Sequence, residues 1–275
     1  MNRKLLLIIA VGLFLTVAIV SVLLNAKKNS APQPKRQDSA GSGSVSGLLT
    51  QARDFELKGN LLDTKMIYQR LINEFPNSAE VMSWQRKVED INIKLLFSPT
   101  VTSKSIIYEI KPGDTLVKIA KEFKTTIELI RKSNNLTDDK ILPGRKIKVW
   151  TAPFSIFVDK SQNTLILKTD EEIVKTYIVS TGINNSTPVG NFKITNKLQN
   201  PTWFKAGAVV PPDSPENILG SRWLGFDLPG YGIHGTTDPQ TLGKQVTQGC
   251  IRMSNPDIEE LYIIVPMGTE VTIVD

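Results

Sequence analysis

Hydrophobic and polar positions divide the 275-residue chain into stretches with different periodicities. Residues 5–24 carry no charge, and two basic residues come directly before them. A helix of this length rises about 30 Å, which matches the hydrocarbon core of a bilayer. We therefore predict that residues 1–25 form an uncleaved signal-anchor helix, with the rest of the chain outside the cytoplasm. Lys27 and Lys28 on the far side work against this orientation, and a cleaved signal peptide is the alternative.

The next stretches predict a spacer and then helices. Residues 26–46 are rich in Ser, Gly, Pro and Lys without apolar periodicity, so we predict a flexible linker. In residues 47–97 apolar side chains recur at helical spacing with two breaks, which predicts three helices. Asn77 or Ser78 is expected to cap the third helix. Residues 98–105 are predicted to be a second linker.

The pattern of these three helices resembles a tetratricopeptide-like helical pair followed by a capping helix. Such repeats normally stack, because one unit alone buries little surface. The segment is therefore either a surface for a protein partner or a stalk that lifts the rest of the chain off the membrane. Of the two, we favour the stalk.

Residues 106–150 show a β-α-α-β pattern. A short strand near residues 108–110 is followed by a turn, and Asp114 is expected to cap the first helix. Thr125 with Glu128 has the spacing of a capping box for the second helix. A second turn and a strand at residues 146–150 complete the unit.

This β-α-α-β unit resembles the lysin motif (LysM), notably at Pro112-Gly113-Asp114-Thr115-Leu116 and at Asn134-Asn135-Leu136. That family binds glycans containing N-acetylglucosamine, such as peptidoglycan or chitin. The resemblance implies a glycan-binding groove formed by Gly113, Asp114, Thr115, Asn134, Asn135 and Leu136. The alternative is a structural domain that has lost sugar binding, since fold does not fix function.

Residues 153–275 predict a mostly-β domain. Four β-rich runs separated by turn residues come first. Residues 200–227 lack clear periodicity, and we expect a functional loop that lies over the active site. A short helix is predicted from Asn255-Pro256 through Tyr262, and residues 270–274 are expected to form a closing strand.

The net charge of +6 does not indicate nucleic-acid binding. Residues 1–40 hold six basic side chains against one acidic one, which leaves the rest of the chain nearly neutral. No basic stripe with interleaved aromatic residues is present. A single cysteine excludes a disulfide framework and a Cys-rich metal site. We expect neither a metal nor another cofactor.

Candidate chemistry concentrates between residues 231 and 253. This stretch holds the only histidine, His234, and the only cysteine, Cys250. A thiol is mostly protonated near neutral pH and needs an adjacent base to become a strong nucleophile. The backbone amides of Gly249 and Cys250 are candidates for stabilising an oxyanion. Arg252 offers a planar fork that suits a carboxylate, although a surface ion pair is the alternative.

The sequences His234-Gly235-Thr236 and Thr247-Gln248-Gly249-Cys250-Ile251-Arg252-Met253 resemble the catalytic motif of the L,D-transpeptidases, which cross-link peptidoglycan. A second segment, residues 180–192, resembles the T-P-x-G segment of that family. The resemblance implies that Cys250 is the nucleophile, that His234 is its base and that the Gly235 carbonyl orients the imidazole. Many members have a second histidine where this chain has Gln248. Tyr231 and Thr247 are expected to contact substrate.

The resemblance also implies a β-sandwich-like fold with the cysteine and histidine facing each other in a cleft. The expected activity is cleavage of a tetrapeptide stem through a Cys thioester and transfer of the acyl group to an amine, giving 3→3 cross-links in the bacterial cell envelope. Carbapenems are expected to acylate Cys250. A carboxypeptidase of the same fold and a non-catalytic wall-binding scaffold are the alternatives.

Overall fold

Residues 43–205 and 207–275 are described by a computed structural model of the chain. Within them we find no helix with the length and apolar character that a bilayer crossing requires. The predicted anchor at residues 5–24 lies outside the described residues, as does most of the predicted linker. From Val45 to Asp275 the chain folds as one unit.

Three helices come first: α1 (Val45–Leu57), α2 (Leu61–Glu74) and α3 (Val81–Leu96). Their apolar faces share a core that includes Leu48, Ala52, Ile67, Leu71, Trp84 and Val88. The predicted cap of α3 is wrong, because the helix begins at Val81 and the Ser78 hydroxyl accepts the Glu80 amide in the turn before it. The relation to tetratricopeptide repeats stays a prediction.

Helix α3 is joined to the rest of the unit by buried polar contacts. Asn92 donates to the Ile173 carbonyl at 3.1 Å. The Lys148 ammonium donates to the carbonyls of Leu95 at 2.5 Å and Ser98 at 2.9 Å. Burial lowers the pKa of Lys148 to about 8. The helices are therefore part of the folded body.

The segment that follows has the predicted β-α-α-β order: β1 (Ser105–Glu109), α4 (Leu116–Glu122), α5 (Ile127–Ser133) and β2 (Lys146–Trp150). Strands β1 and β2 pair antiparallel. Both predicted helix caps are wrong by one residue. Thr115 rather than Asp114 caps α4, and Thr126 rather than Thr125 caps α5. Both threonines have the extended backbone that lets a side chain accept an amide three residues on.

The remaining residues form a mostly-β domain, as predicted. Its elements are β3 (Phe154–Asp159), β4 (Thr164–Thr169), β5 (Glu172–Ile178), β6 (Thr181–Gly182), β7 (Gly190–Gln199), β8 (Trp203–Lys205), β9 (Ala208–Val210), β10 (Arg222–Phe226), β11 (Gly232–His234), β12 (Gln245–Thr247), β13 (Ile251–Arg252), α6 (Asn255–Ile264) and β14 (Glu270–Val274). Eight strands form one sheet in the order β13-β11-β10-β7-β14-β3-β4-β5. Alternate residues of these strands enter one shared core.

Strand β7 connects the two halves of the sheet in the domain for which a β-sandwich-like fold was expected, and the sandwich-like packing stays a prediction. Its residues 190–193 pair with β14, and residues 194–199 pair with β10. The two halves are therefore hydrogen-bonded through a common strand. The predicted closing strand, β14, lies inside the sheet between β7 and β3.

The expectation of an irregular segment at residues 200–227 is only partly right. Strands β8 and β9 form a hairpin within it, and β10 joins the main sheet between β7 and β11. Strand β10 carries Gly225, which lies so close to Asn196 that an added Cβ would be 2.4 Å from that side chain. This close approach requires glycine inside a strand and interrupts its apolar alternation.

Candidate active site

Strands β11 and β13 bring the two halves of the candidate site together. They are parallel neighbours, with Ile233 opposite Ile251 and His234 opposite Arg252. Both isoleucines are buried in the core at 0 % exposure. Because side chains alternate along a strand, His234 and Arg252 point to the opposite face. Cys250 directly precedes β13, so continued alternation would place the thiol on the same side as the imidazole.

The environment of His234 keeps its imidazole neutral and oriented. The side chain is 2 % exposed, and its Nδ1 lies 2.7 Å from the Gly235 carbonyl oxygen. Since a carbonyl only accepts, Nδ1 carries the proton and Nε2 presents its lone pair. The Trp223 ring stacks on the imidazole with centroids 6.0 Å apart and planes at 16°. Burial lowers the pKa of His234 to about 4, against the opposing effect of the Gly235 hydrogen bond.

A tight turn presents the thiol. Gly249 has φ +129°, and a Cβ there would lie 2.7 Å from the Tyr231 ring and 3.1 Å from the Ser186 carbonyl oxygen. Only glycine fits this position without displacing its neighbours. The Thr247 hydroxyl donates to the Cys250 carbonyl at 2.6 Å and accepts the Gly249 amide at 3.2 Å. The Gly249 amide, a predicted oxyanion donor, is therefore engaged in holding the turn.

The thiol itself is protonated at rest. Cys250 Sγ donates to the Gly230 carbonyl at 3.5 Å. Burial raises the pKa of Cys250, while a backbone hydrogen bond from Gly232 and the charge of Arg252 act in the opposite direction. A neutral thiol beside a neutral imidazole requires that the proton moves when the sulfur attacks.

Arg252 has unused hydrogen-bonding capacity. Its Nη1 donates to the Thr241 hydroxyl at 3.0 Å, and its Nε is buried without a partner among the described residues. Burial lowers the pKa of Arg252, and Asp238 opposes this effect. The backbone of Arg252 exchanges hydrogen bonds of 2.9 and 2.8 Å with Ser180. Because Nε is buried, a carboxylate could reach only the parts of the guanidinium that are not buried.

The T-P-x-G segment lies against the same turn. The Thr187 hydroxyl accepts the Gly182 amide at 2.7 Å. The Thr187 carbonyl accepts the buried Lys160 ammonium at 2.9 Å, and Lys160 also pairs with Asp275 at 2.8 Å. The neighbouring Ser186 carbonyl contacts Gly249. The second motif therefore supports the backbone that carries the thiol.

The residues predicted to bind glycan build two turns of the β-α-α-β unit. The Asp114 carboxylate accepts the Tyr108 hydroxyl and the Lys111 amide, both at 2.8 Å. The Asn134 side chain accepts the Lys148 amide at 2.7 Å and donates to the Lys148 carbonyl at 2.8 Å. Gly113 and Asn135 have positive φ, Thr115 caps α4, and Leu136 packs on the local core. Their side chains hold the turns, and sugar contact stays a prediction.

The sequence pattern did not identify several residues of the site. Trp223, Thr241 and the Gly230 carbonyl all touch the candidate catalytic groups. Trp223 lies in the segment that was predicted to be irregular. The apolar and aromatic residues Trp223, Leu224 and Phe226, followed by a Pro-Gly turn, were the available signal for a strand.

Comparison with known proteins agrees with this arrangement. Residues 153–273 match the YkuD family, the L,D-transpeptidase catalytic domain, and residues 108–150 match the LysM domain. A protein of Bacillus licheniformis described as the putative L,D-transpeptidase YkuD is 38% identical over 176 residues, which cover 61% of this chain and 98% of that protein. The putative L,D-transpeptidase YqjB of Bacillus subtilis is 40% identical over 126 residues, covering 44% of this chain and 70% of that protein.

Solved structures with a similar chain include an L,D-transpeptidase from Mycobacterium smegmatis. It is 21% identical, with a TM-score of 0.38, over 49% of this chain and 65% of that one. The sequence relatives decide the assignment: this chain belongs to the L,D-transpeptidase family, and it also carries a LysM domain.

Proposed function

We propose that this protein is a cell-envelope enzyme that forms 3→3 peptidoglycan cross-links through a thioester on Cys250. The observation that supports this most is the parallel pairing of β11 with β13, which brings the segment directly after Cys250 next to His234, whose Nδ1 lies on the Gly235 carbonyl. Family membership supports the reaction class, and the LysM domain supports peptidoglycan as the partner.

The first half-reaction is acylation of the enzyme. His234 Nε2 takes the Cys250 proton while Sγ attacks the carbonyl carbon of the diamino acid at position three of a tetrapeptide stem. The amide of Cys250 stabilises the oxyanion, since the Gly249 amide is held by Thr247. His234 then gives the proton to the departing nitrogen, the C–N bond breaks, and D-Ala leaves.

The second half-reaction transfers the acyl group. The side-chain amine of a neighbouring stem attacks the thioester carbonyl while His234 takes its proton. The C–S bond breaks, the sulfur recovers the proton, and a 3→3 cross-link forms. A neutral imidazole suits both halves, because a base with a pKa of about 4 is unprotonated at pH 7.

Arg252 is the proposed carboxylate-binding residue for the donor stem. Its guanidinium is only partly buried, and its charge acts on the thiol. Tyr231 and Thr247 are proposed to border the stem from the turn that they support.

Intact-mass spectrometry of the full-length chain with purified disaccharide-tetrapeptide tests the mechanism. We expect a covalent adduct of the stem minus D-Ala on the wild type, and none on Cys250→Ala. His234→Gln is the matched control, since it keeps the thiol but removes the base, and it should form the adduct far more slowly. Unchanged turnover in the alanine variant would refute the thioester.

The products distinguish transfer from hydrolysis. Cross-linked dimers identify a transpeptidase, whereas trimmed tripeptide monomers alone identify an L,D-carboxypeptidase in which water replaces the amine. Both outcomes keep the acyl-enzyme, so the adduct experiment and the product analysis answer separate questions.

Glycan binding is proposed for the two LysM turns that contain Gly113-Asp114-Thr115 and Asn134-Asn135-Leu136. The full chain is expected to sediment with purified cell-wall sacculi. Replacing Leu136 by Asp should reduce the bound fraction without affecting release of D-Ala from a small soluble substrate. Equal sedimentation of both proteins would remove this assignment.

Membrane anchoring by residues 5–24 is proposed from their uncharged sequence. Alkaline carbonate extraction should leave the full-length protein in the membrane pellet. Complete release into the supernatant would contradict the anchor and favour a cleaved signal peptide.

A protein partner for the helical segment is also proposed. Affinity capture with the full-length chain, in which residues 45–97 are intact, tests it.

A further inference from the structure

Asn255, the first residue of α6, holds the peptide group on which the orientation of His234 depends. Its side-chain Oδ1 accepts the amides of Thr236 and Ser221, both at 3.1 Å. The Thr236 amide and the Gly235 carbonyl belong to the same planar peptide group and point in opposite directions across a trans bond. A hydrogen bond that fixes the amide therefore fixes the direction of the carbonyl that contacts the imidazole.

The packing around Asn255 leaves its oxygen in one place. A Cβ on Gly235 would lie 2.1 Å from this oxygen, and a Cβ on Gly220 would lie 2.2 Å from it. Two glycines are thus needed to admit the side chain. The Ser254 hydroxyl accepts the Asp257 amide at 3.2 Å and caps α6, so the start of the helix that carries Asn255 is itself fixed.

Backbone hydrogen bonds also hold the loop that contains Gly235. The Gly235 amide donates to the Arg222 carbonyl at 3.2 Å, next to Ser221. The Met253 amide donates to the His234 carbonyl at 2.8 Å. The peptide group between residues 235 and 236 is then held at its amide end by the Asn255 side chain and at its carbonyl end by the imidazole.

We infer that Asn255 is a positioning residue that keeps the Gly235 carbonyl on His234 Nδ1 and the Nε2 lone pair available to Cys250. This inference rests on the proposed role of His234 as the base. Without the Asn255 oxygen, the Thr236 amide loses its acceptor and the peptide group can rotate. The imidazole then loses the contact that selects its tautomer, and a histidine in the wrong tautomer is a poor base.

The test uses the fact that the chain has one histidine and one cysteine. Nitrogen-15 NMR of the full-length, histidine-labelled protein reports the tautomer of His234 directly. Alkylation of Cys250 by iodoacetamide across a range of pH reports activation of the thiol. Release of D-Ala from disaccharide-tetrapeptide reports turnover.

In Asn255→Ala we expect a mixture of tautomers and a fall of about 10- to 100-fold in alkylation and in kcat, by analogy with the groups that orient metal-binding histidines. The KM should stay within about twofold, because no substrate contact is removed. Asn255→Asp retains the accepting oxygen and should restore the Nδ1-protonated tautomer. Asn255→Ser, whose shorter side chain cannot span the same distance, should behave like the alanine variant.

Asn92→Ala is the matched control. It removes two side chain–backbone hydrogen bonds, to the carbonyls of Ile173 and Val174, at a site remote from the thiol. It should lower the melting temperature while tautomer, alkylation and turnover stay at wild-type values. A single Nδ1-protonated tautomer and wild-type alkylation in the Asn255 alanine and serine variants would overturn the inference, whatever their melting temperatures. Fast alkylation of the wild type without D-Ala release would instead refute the proposed function and leave the positioning test intact.

Discussion

Acidification should destabilise the folded protein through His234 by a definite amount. The pKa of this imidazole is about 4 in the folded chain, against 6.5 when it is exposed. Each unit of such a difference corresponds to about 1.4 kcal/mol, so the full effect is about 3 kcal/mol. The unfolded chain binds the proton below pH 6.5, whereas the folded chain does so only near pH 4. Above pH 6.5 the imidazole is neutral in both states, and burial of the ring does not reduce the free energy of unfolding through protonation. As the pH falls from 6.5 towards 4, protonation of the unfolded chain lowers the free energy of unfolding by the full amount.

Urea unfolding of the wild type and of His234→Gln, from about pH 7.5 down to about pH 4, isolates this effect. Carboxylates titrate in both proteins, so they cancel in the difference between the two free energies of unfolding. Over this pH range, the free energy of unfolding of the wild type should fall by about 3 kcal/mol more than that of His234→Gln. Nitrogen-15 NMR titration of the single histidine gives the folded pKa independently. A difference that stays constant with pH, or an NMR pKa near 6.5, would show that the imidazole is solvated and would refute the destabilisation expected from its burial.

Three further substitutions test separate contacts. Trp223→Leu should let water reach the imidazole, raise the pKa of His234 and move the acid limb of Cys250 alkylation to higher pH; an unmoved limb would mean that the indole does not cause the burial. Arg252→Lys keeps the charge but loses the planar guanidinium, so KM for the tetrapeptide should rise about tenfold with kcat nearly unchanged. Steady-state kinetics that show a lower kcat with an unchanged KM would exclude carboxylate binding. Lys148→Met removes the charged donor from the Leu95 and Ser98 carbonyls and leaves the first with only the Ser98 hydroxyl, so it should cost about 2 kcal/mol of stability in urea unfolding; an unchanged midpoint would contradict the importance of that contact.

Local pattern was enough to predict most elements of the fold. The helices around Leu71 and Trp84, the strands near residues 154–159 and 164–169, and the helix at Asn255 all follow from apolar spacing and turn residues. These signals act within a few residues, and the sequence contains them in full. The predicted caps of α4 and α5 failed by one residue because adjacent side chains such as Asp114 and Thr115 can both accept an amide.

Long-range pairing could not be predicted in the same way. His234 and Cys250 were expected to meet, but the parallel pairing of β11 with β13 depends on where β10 lies in the sheet. Asn255 has the sequence signature of a helix start, and nothing local indicates that its oxygen reaches the loop after His234. Such contacts arise only when distant segments pack.

The hydrogen bonds that Lys148 makes to the end of α3, together with the bond from the Thr126 hydroxyl to the Ile263 carbonyl, hold the LysM domain against the rest of the folded unit. A glycan strand bound by this domain, as proposed, would lie at a constant distance from Cys250. The peptide stem that reaches Cys250 would then be set by its distance along the strand from the bound sugars.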